Sequence, residues 1–475
     1  MLRRCLILFV LVGCHPASKP TTPETWTDPE ASLPPSTRAT PRRFMPLPRP
    51  AAPRVVLRHA TILTATGQTI EDGAIVLADG KIEAIGRSAD VPAGQGDLDV
   101  RGKFVTPGII DTHSHLGVYS APETGNANQD GNEMTNIFTP SADAAAGYNP
   151  QDPQIGRAVA GGVTAAQILP GSGNLIGGTS VVVEMRLGVS VDDVAFPGAP
   201  RGLKMACGEN PKRVYAEKGG PMSRMGLYPA LRARYEKARE YAGKLRDYQA
   251  QRAAWLEKRK HGGKSETAPT PVTRDDDLEV LAAVLRGEIL VHVHCYRAGE
   301  HLEMMSLADD LGFKIRSFHH SLEAYKIRDR LAAKQIAVST WADWWGFKLE
   351  AWDGIPENAA LVHEAGGRAI IHSDSALGIQ KLNQEAAKAM AAGRAAGVKL
   401  SDDDVLRWIT ANPAWALGID GQTGTLEKGK RADVVVWSGH PLSVYARAER
   451  VYIAGHEAYR LGARPASDFE LGNAP

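Results

Sequence analysis

Short apolar segments alternate with longer helical stretches through the middle of this 475-residue chain. One lies just before His113 and another near residues 181–185, and six more have strand character at residues 161–169, 203–206, 289–294, 315–319, 337–340 and 369–373. Apolar strands separated by helices are typical of a parallel sheet covered by helices. About eight such strands are enough to close a barrel, in which functional side chains follow the carboxyl ends of the strands. We therefore predict an α/β fold, a (β/α)8 TIM-like barrel that spans residues 107–420.

Shorter strands with hairpin turns lie on both sides of this region. The strand-like stretches are residues 55–60, 74–77, 82–86, 434–437 and 450–456. Neither group alone has enough strands to bury a stable core. We predict that both chain ends build one small β domain, from residues 54–106 and 421–465.

A long helix interrupts the barrel pattern at about residues 223–262. Its apolar side chains recur at spacings of three and four, which gives the helix one apolar face and an opposite basic face. These side chains are Leu231, Tyr235, Ala238, Tyr241, Leu245 and Tyr248. A helix that packs on the barrel is the simpler interpretation, and a lid that borders the substrate pocket is the alternative.

The N-terminus has the pattern of an export signal. Arg3 and Arg4 precede an apolar run at residues 5–12, which is too short to span a bilayer as a stable helix. The sequence Leu-Val-Gly-Cys at residues 11–14 resembles the bacterial lipoprotein box. This resemblance implies that residues 1–13 are a lipoprotein signal peptide and that Cys14 is lipidated. A plain signal peptide with an incidental Cys14 is the alternative.

Residues 14–53 are rich in Pro, Thr, Ser and Arg and lack apolar periodicity, so we predict a disordered tether. A lipid on Cys14 would anchor the protein to a membrane of the bacterial cell envelope, facing the periplasm or the exterior. The net charge of +1 gives no reason to expect a nucleic-acid partner. We expect a small-molecule substrate, and a homo-oligomer stays open. Cys207 and Cys295 are too few for a disulfide framework, although a single disulfide between them is conceivable.

His113 and His115 end the first strand of the predicted barrel, in the stretch Pro-Gly-Ile-Ile-Asp-Thr-His-Ser-His at residues 107–115. Side chains two apart in a strand point to the same face, so both rings can reach one metal ion. A lone His-x-His is weak evidence, because such pairs also arise by chance.

Later strands end in similar side chains. His294 ends one strand, with His292 one layer lower on the same face. His319 and His320 end the next strand, and strand alternation predicts that they point to opposite faces, so that one of them can be a ligand. Asp374 closes a further strand, with His372 below it. Each alone is more often a packed polar group than a ligand, but random placement would rarely align them all.

Together with these strand ends, several short motifs resemble the metal-dependent amidohydrolase superfamily, and more narrowly its imidazolonepropionase-like and prolidase-like members. The motifs include Gly-Gly-Val-Thr at residues 161–164, His-Ser-Asp-Ser at 372–375, Asn-Pro-Ala at 412–414 and Gly-Thr-Leu-Glu-Lys-Gly-Lys-Arg-Ala-Asp at 424–433. The resemblance covers roughly residues 54 to 460. It implies a distorted (β/α)8 barrel with a small β-sandwich built from both chain ends.

The resemblance also implies a set of metal ligands. His113 and His115 match the pair on the first strand that holds the more buried metal. His294 and His320 match the ligands after the fifth and sixth strands. Asp374 matches the eighth-strand carboxylate that binds metal and transfers the proton.

Lys204 resembles a fourth-strand lysine that some relatives carry as a carbamate between two metals. Glu209, in Cys-Gly-Glu-Asn-Pro at residues 207–211, is a rival bridging carboxylate. A buried amine paired with an acid is the third interpretation of Lys204. The expected cofactor is a divalent metal, best matched by zinc, as one or two ions.

A divalent metal with imidazole and carboxylate ligands supplies hydroxide at neutral pH and polarises a carbonyl, which favours hydrolysis. Asp374 would act as the general acid and base. We predict an amidohydrolase that cleaves an amide, lactam or cyclic amide C–N bond of a small molecule, and residues 341–345, Trp-Ala-Asp-Trp-Trp, either line its pocket or pack in its core. The alternatives are a ring deaminase on the same residues and a non-catalytic cell-envelope binding lipoprotein.

Overall fold

The computed structural model describes Phe44 and residues 49–119, 129–261 and 267–463. The predicted signal peptide, Cys14 and most of the predicted tether lie outside these residues. None of the helices within the described ranges combines the length and apolar character that crossing a bilayer needs.

Strands and helices are numbered here in chain order over the described residues. The strands are β1 (Val55–Leu63), β2 (Thr69–Ala78), β3 (Lys81–Arg87), β4 (Leu98–Asp99), β5 (Phe104–Pro107), β6 (Ile109–Ser114), β7 (Val163–Ile168), β8 (Ile176–Glu184), β9 (Gly202–Ala206), β10 (Leu290–His294), β11 (Ile315–His319), β12 (Ala337–Thr340), β13 (Ala369–Ile371), β14 (Val434–Trp437), β15 (Ala448–Ile453) and β16 (His456–Arg460). The α-helices are α1 (Ala144–Gly147), α2 (Gln154–Ala160), α3 (Val191–Val194), α4 (Glu209–Tyr215), α5 (Arg224–Lys260), α6 (Asp276–Leu285), α7 (Ala298–Leu311), α8 (Arg328–Ala333), α9 (Asn358–Glu364), α10 (Leu382–Ala395), α11 (Asp402–Arg407) and α12 (Ala411–Ala416).

The barrel sheet has eight strands within the described ranges, in the order β6 to β13. Neighbouring strands are parallel except at β8, which is antiparallel to both β7 and β9. The expectation of a parallel strand near residues 181–185 is therefore wrong in direction. Residues 169–175 join β7 to β8, and this connection is shorter than the dozen or so residues that a crossover between parallel strands requires.

The first and last barrel strands meet through a few hydrogen bonds. The Asp374 N–H donates to the His113 carbonyl oxygen at 3.0 Å. The Ser373 N–H donates to Asp111 Oδ1 at 3.2 Å. The barrel is thus nearly closed, as the predicted TIM-like fold requires, and its seam lies beside the two histidines of the first strand.

The second sheet joins both ends of the chain. Its order is β16–β15–β14–β5–β1–β2–β3, with β4 paired to β1. The Ile82 N–H donates to the Lys430 carbonyl oxygen at 2.8 Å, which brings β3 back to the segment that leads into β14. The sheet curls around a core that includes Leu57, Ile75 and Val434. The strands form one continuous hydrogen-bonded sheet, and the exact domain boundaries stay a prediction.

The long helix α5 buries the face that the sequence predicts. Its buried residues include all six of the predicted apolar positions. Tyr235 stacks on Phe313 with ring centroids 4.6 Å apart, and Tyr241 donates to Glu279 of α6 at 3.1 Å. These contacts support the packing interpretation, and the helix's first residue, Arg224, reaches Glu300 of α7 at 2.5 Å.

Candidate metal centre

His113 and His115 direct their rings at one point beyond the carboxyl end of β6. The His115 Nδ1 atom lies 2.9 Å from the carbonyl oxygen of Leu169, which is an acceptor. Nδ1 must therefore carry the proton, and the Nε2 lone pair is left free. The two Nε2 atoms of His113 and His115 lie 3.3 Å apart.

Asp374 brings a carboxylate to the same point. Its Oδ1 lies 3.6 Å from His113 Nε2 and 3.3 Å from His115 Nε2. Its Oδ2 lies 3.7 Å from His320 Nε2. The backbone of Asp374 has a φ of +47°, a left-handed conformation that Asp tolerates better than most residues. Three imidazoles from two strands therefore converge on one carboxylate from a third.

His319 and His320 both point into the barrel, so the expectation that they face opposite sides is wrong. His320 has a φ of +58°, which breaks the two-residue alternation of the strand at that position. Its ring lies 4.4 Å from the ring of His113. His319 lies one layer lower, and its Nδ1 is 2.8 Å from His113 Nδ1. His320 therefore lies among the candidate ligands. His319 contacts the Nδ1 atom of His113, whereas the Nε2 atom of His113 faces the site.

His294 and His292 occupy two layers of β10, as strand alternation predicts. The ring of His294 lies 4.8 Å from that of His320. His292 belongs to the lower layer, where its Nδ1 is 2.8 Å from Ser317 Oγ and 3.3 Å from His319 Nε2.

Lys204 is buried beside the upper layer. Its Nζ lies 3.4 Å from His113 Nε2 and 3.1 Å from the Pro170 carbonyl oxygen. Burial lowers the pKa of this amine to about 8. Over the described ranges, Lys204 forms no ion pair with a carboxylate, which argues against the buried amine–acid pair. The rival Glu209 lies with its Oε1 3.8 Å from Lys348 Nζ.

These residues fit a divalent metal. His113, His320 and Asp374 each offer a ligand atom within 4.8 Å of the others. The shorter separations match the edge of about 3.3 Å that a tetrahedron with ordinary Zn–N bonds would have. Burial holds the pKa values of His113, His294 and His320 well below the usual value, so the imidazoles are neutral, as metal ligands must be. Neither ring nitrogen of buried His372 has a hydrogen-bond partner among the described residues.

The side chains of Asp111 and Ser373 lie at the barrel seam, and the sequence analysis assigned neither of them to the site. Asp111 is fully buried and accepts from the His113 N–H at 3.1 Å, and it also accepts from the Ser373 hydroxyl. Burial raises the pKa of its carboxyl to about 7. Its position in the first-strand motif is a signal that could have identified it.

The strand ends that carry Lys204 and His294 are joined by a disulfide between Cys207 and Cys295, with Cα atoms 5.3 Å apart. Trp341 stacks on His320 with ring centroids 4.5 Å apart, and its indole N–H donates to the Ser373 carbonyl oxygen at 3.0 Å. Trp344 is 41% exposed and stacks on Trp341 at 5.8 Å. The tryptophan run therefore supports the site at one end and reaches its surface at the other.

Several known proteins are similar to this chain in sequence. The model of the family described as "Amidohydrolase family" matches residues 351–458. Amidohydrolase tasK of Hapsidospora irregularis is 33% identical over 401 residues, which are 81% of this chain and 39% of that protein. The chain thus spans well under half the length of this curated relative. The imidazolonepropionase of Paracoccus denitrificans is 39% identical over 69 residues, or 13% of this chain and 17% of that one.

Among solved structures, the crystal structure of an amidohydrolase from Thermotoga maritima MSB8 is similar along the whole of its own length. It is 36% identical, has a TM-score of 0.74, and the alignment covers 86% of this chain and 100% of that one.

Proposed function

Because this chain belongs to the amidohydrolase family, which comprises hydrolases acting on carbon–nitrogen bonds, we propose that it is a metal-dependent hydrolase of a small-molecule amide, lactam or cyclic amide. The observation that carries the proposal is the convergence of His113, His115 and His320 on Asp374, with their Nε2 atoms 3.3 to 3.7 Å from its carboxylate. Lys204 adds to it, because it is buried next to His113 and forms no ion pair with a carboxylate among the residues that the structure describes.

His113, His115 and Asp374 would hold one ion, and His294 and His320 a second. Lys204, once carboxylated by carbon dioxide, would supply a further carboxylate ligand. Neutral imidazoles and carboxylates are the ligands that zinc prefers. Such an ion lowers the pKa of a water molecule and polarises a carbonyl group.

Asp374 is placed to move the proton. As the water oxygen bonds to the carbonyl carbon, the carbonyl π pair moves onto its oxygen and the proton of the water passes to the Asp374 carboxylate. When the pair returns, the C–N bond breaks and the leaving nitrogen takes that proton from Asp374. One water is consumed, and the acid and the amine form as two molecules from an open-chain amide or as two groups of one molecule from a lactam or cyclic amide. The Asp374 side chain is 26% exposed, so a substrate at the mouth can reach it.

We also propose that the protein is anchored to a membrane of the bacterial cell envelope through lipid on Cys14. The sequence at residues 11–14 supports this. The disulfide between Cys207 and Cys295 supports it independently, because disulfides persist in oxidising compartments such as the periplasm.

Screening the metal-loaded protein against dipeptides, lactams and cyclic amides tests the activity. We expect turnover that a chelator abolishes and added zinc restores, with one or two ions per chain by elemental analysis. Release of ammonia from a ring C=N substrate, with one ion per chain, would favour the deaminase instead. Full activity in metal-free protein would refute the metal-dependent mechanism.

A further inference from the structure

The side chain of Asn210 borders the candidate metal centre. It belongs to α4, directly after the strand that carries Lys204. Its Nδ2 lies 3.5 Å from His294 Nε2 and 2.8 Å from Ser172 Oγ. Its Oδ1 lies 3.2 Å from Lys348 Nζ.

The neighbours of Asn210 fix which end of its amide faces the site. An ammonium group has donors and no acceptor, so Lys348 can bond the amide only through Oδ1. The NH2 group must then occupy the opposite edge, toward Ser172 and His294. An amide turned the other way would place two donors against each other at Lys348.

Lys348 is itself held in place. Its Nζ lies 2.8 Å from Glu350 Oε1 and 4.2 Å from the ring centroid of Tyr296. The Glu350 side chain is 1% exposed and also accepts from Arg224 at 2.8 Å. The ammonium group of Lys348 is therefore held in one position, where it donates to the amide oxygen of Asn210.

The two N–H groups of the Asn210 amide have different partners. The first is directed at Ser172 Oγ, and the second at His294 Nε2. In the function proposed above, His294 Nε2 would give its lone pair to a metal ion and would then not accept a hydrogen bond. The second N–H is then available to donate to an oxygen atom of a substrate that binds beside Asn210 and His294.

We propose that Asn210 is a catalytic residue that donates this N–H to the carbonyl oxygen of the scissile bond, and that Lys348 is the positioning residue that orients it. The inference rests on the proposed hydrolysis. As the water oxygen bonds to carbon, the carbonyl π pair becomes a negative charge on oxygen, and the Asn210 N–H stabilises that charge. The pair returns as the C–N bond breaks and the nitrogen takes its proton from Asp374. A donor aimed at developing charge stabilises the transition state more than the substrate.

The test compares Asn210→Ala with full-length wild-type protein, on a substrate that the wild type turns over. We expect kcat to fall by about 10²- to 10³-fold, the usual effect of losing one such donor, with little change in KM, metal content or melting temperature. Binding of methylphosphonate, a tetrahedral oxyanion probe, to the zinc-loaded protein should weaken by about tenfold or more. Asn210→Asp keeps the shape but lacks the donor, and serves if the alanine variant does not fold.

Lys348→Met should reduce kcat less than Asn210→Ala, because the amide can still adopt the productive orientation part of the time. The double variant should be no slower than Asn210→Ala alone, since Lys348 acts only through Asn210. Lys334→Met is the matched control, because it breaks a lysine–carboxylate contact with Asp309 of 2.6 Å at the opposite end of the barrel. We expect it to leave kcat and methylphosphonate binding unchanged.

Wild-type kcat and wild-type methylphosphonate binding in a metal-replete Asn210 variant would overturn this proposal while the hydrolase proposal stands. Loss of metal in the Asn210 variants would also overturn it, because Asn210 would then be structural. An inactive, metal-free wild type would instead overturn the hydrolase proposal itself.

Discussion

Two residues at the site adopt backbone conformations that bring their side chains inward. Asp374 and His320 both have positive φ, at +47° and +58°. Such conformations cost about 1 kcal/mol or more and persist only where surrounding contacts over-determine them. Here the seam hydrogen bond from the Asp374 N–H to the His113 carbonyl oxygen, at 3.0 Å, is one such contact. The imidazole rings of His113, His115 and His320 therefore surround the carboxylate of Asp374.

Asp374→Asn tests the proton-transfer role. The amide keeps the shape and one oxygen ligand but cannot accept a proton, so we expect metal to be largely retained and kcat to fall by about 10²- to 10⁴-fold. Metal content, melting temperature and kcat measured on one preparation decide the matter. Near-normal turnover in a metal-replete variant would contradict the mechanism.

His319→Ala separates the lower histidine layer from the upper one. His319 fixes the ring of His113 through a contact of 2.8 Å, so its loss should weaken metal affinity by about 10- to 100-fold without removing a ligand. His113→Ala should instead abolish binding at that position even at saturating zinc. Isothermal titration with zinc measures both. Equal effects of the two substitutions would mean that His319 is a ligand.

The Cys207–Cys295 disulfide joins the ends of two barrel strands. It follows β9, which carries Lys204, and β10, which carries His294. Its half-cystines are 88 residues apart in sequence, and both are fully buried. The bond therefore closes a large loop in the unfolded chain while it holds two site-bearing strands together.

Replacing both cysteines, Cys207→Ser with Cys295→Ser, should lower the free energy of unfolding by about 4.6 kcal/mol, the chain-entropy estimate for a loop of this size. Urea unfolding of the variant and of oxidised wild type measures the difference. Two free thiols titrated in the unfolded, non-reduced wild type, at these positions, would show that the bond does not form.

The location of the whole protein in the cell depends, in our proposal, on lipid attached to Cys14. Cys14→Ser removes the proposed acceptor of lipid, so the protein should move from the membrane fraction to the soluble fraction of the cells. Activity toward the same substrate should persist, because the proposed catalytic residues lie in the barrel. Immunoblotting of the two fractions measures the shift, and a variant that stays in the membrane fraction would place the anchor elsewhere.

Local sequence patterns predicted much of the barrel. The six inner strand candidates overlap β7 and β9 to β13, because apolar runs of four to eight residues report burial on both faces. The comparisons and the structure confirm an amidohydrolase-family α/β protein with a nearly closed eight-stranded barrel and a second sheet. Most of the predicted ligand residues also converge, since strand ends in a barrel meet at one mouth.

The sequence by itself determined which donors end the strands: the chemistry of an imidazole or a carboxylate, and the period of two, are properties of the chain. Tertiary structure alone decided the inward turn of both His319 and His320 and the contact of Asn210 with Lys348, which are 138 residues apart. Positive φ and contacts between distant loops are stabilised by closure of the whole barrel. No local period in the sequence records that closure.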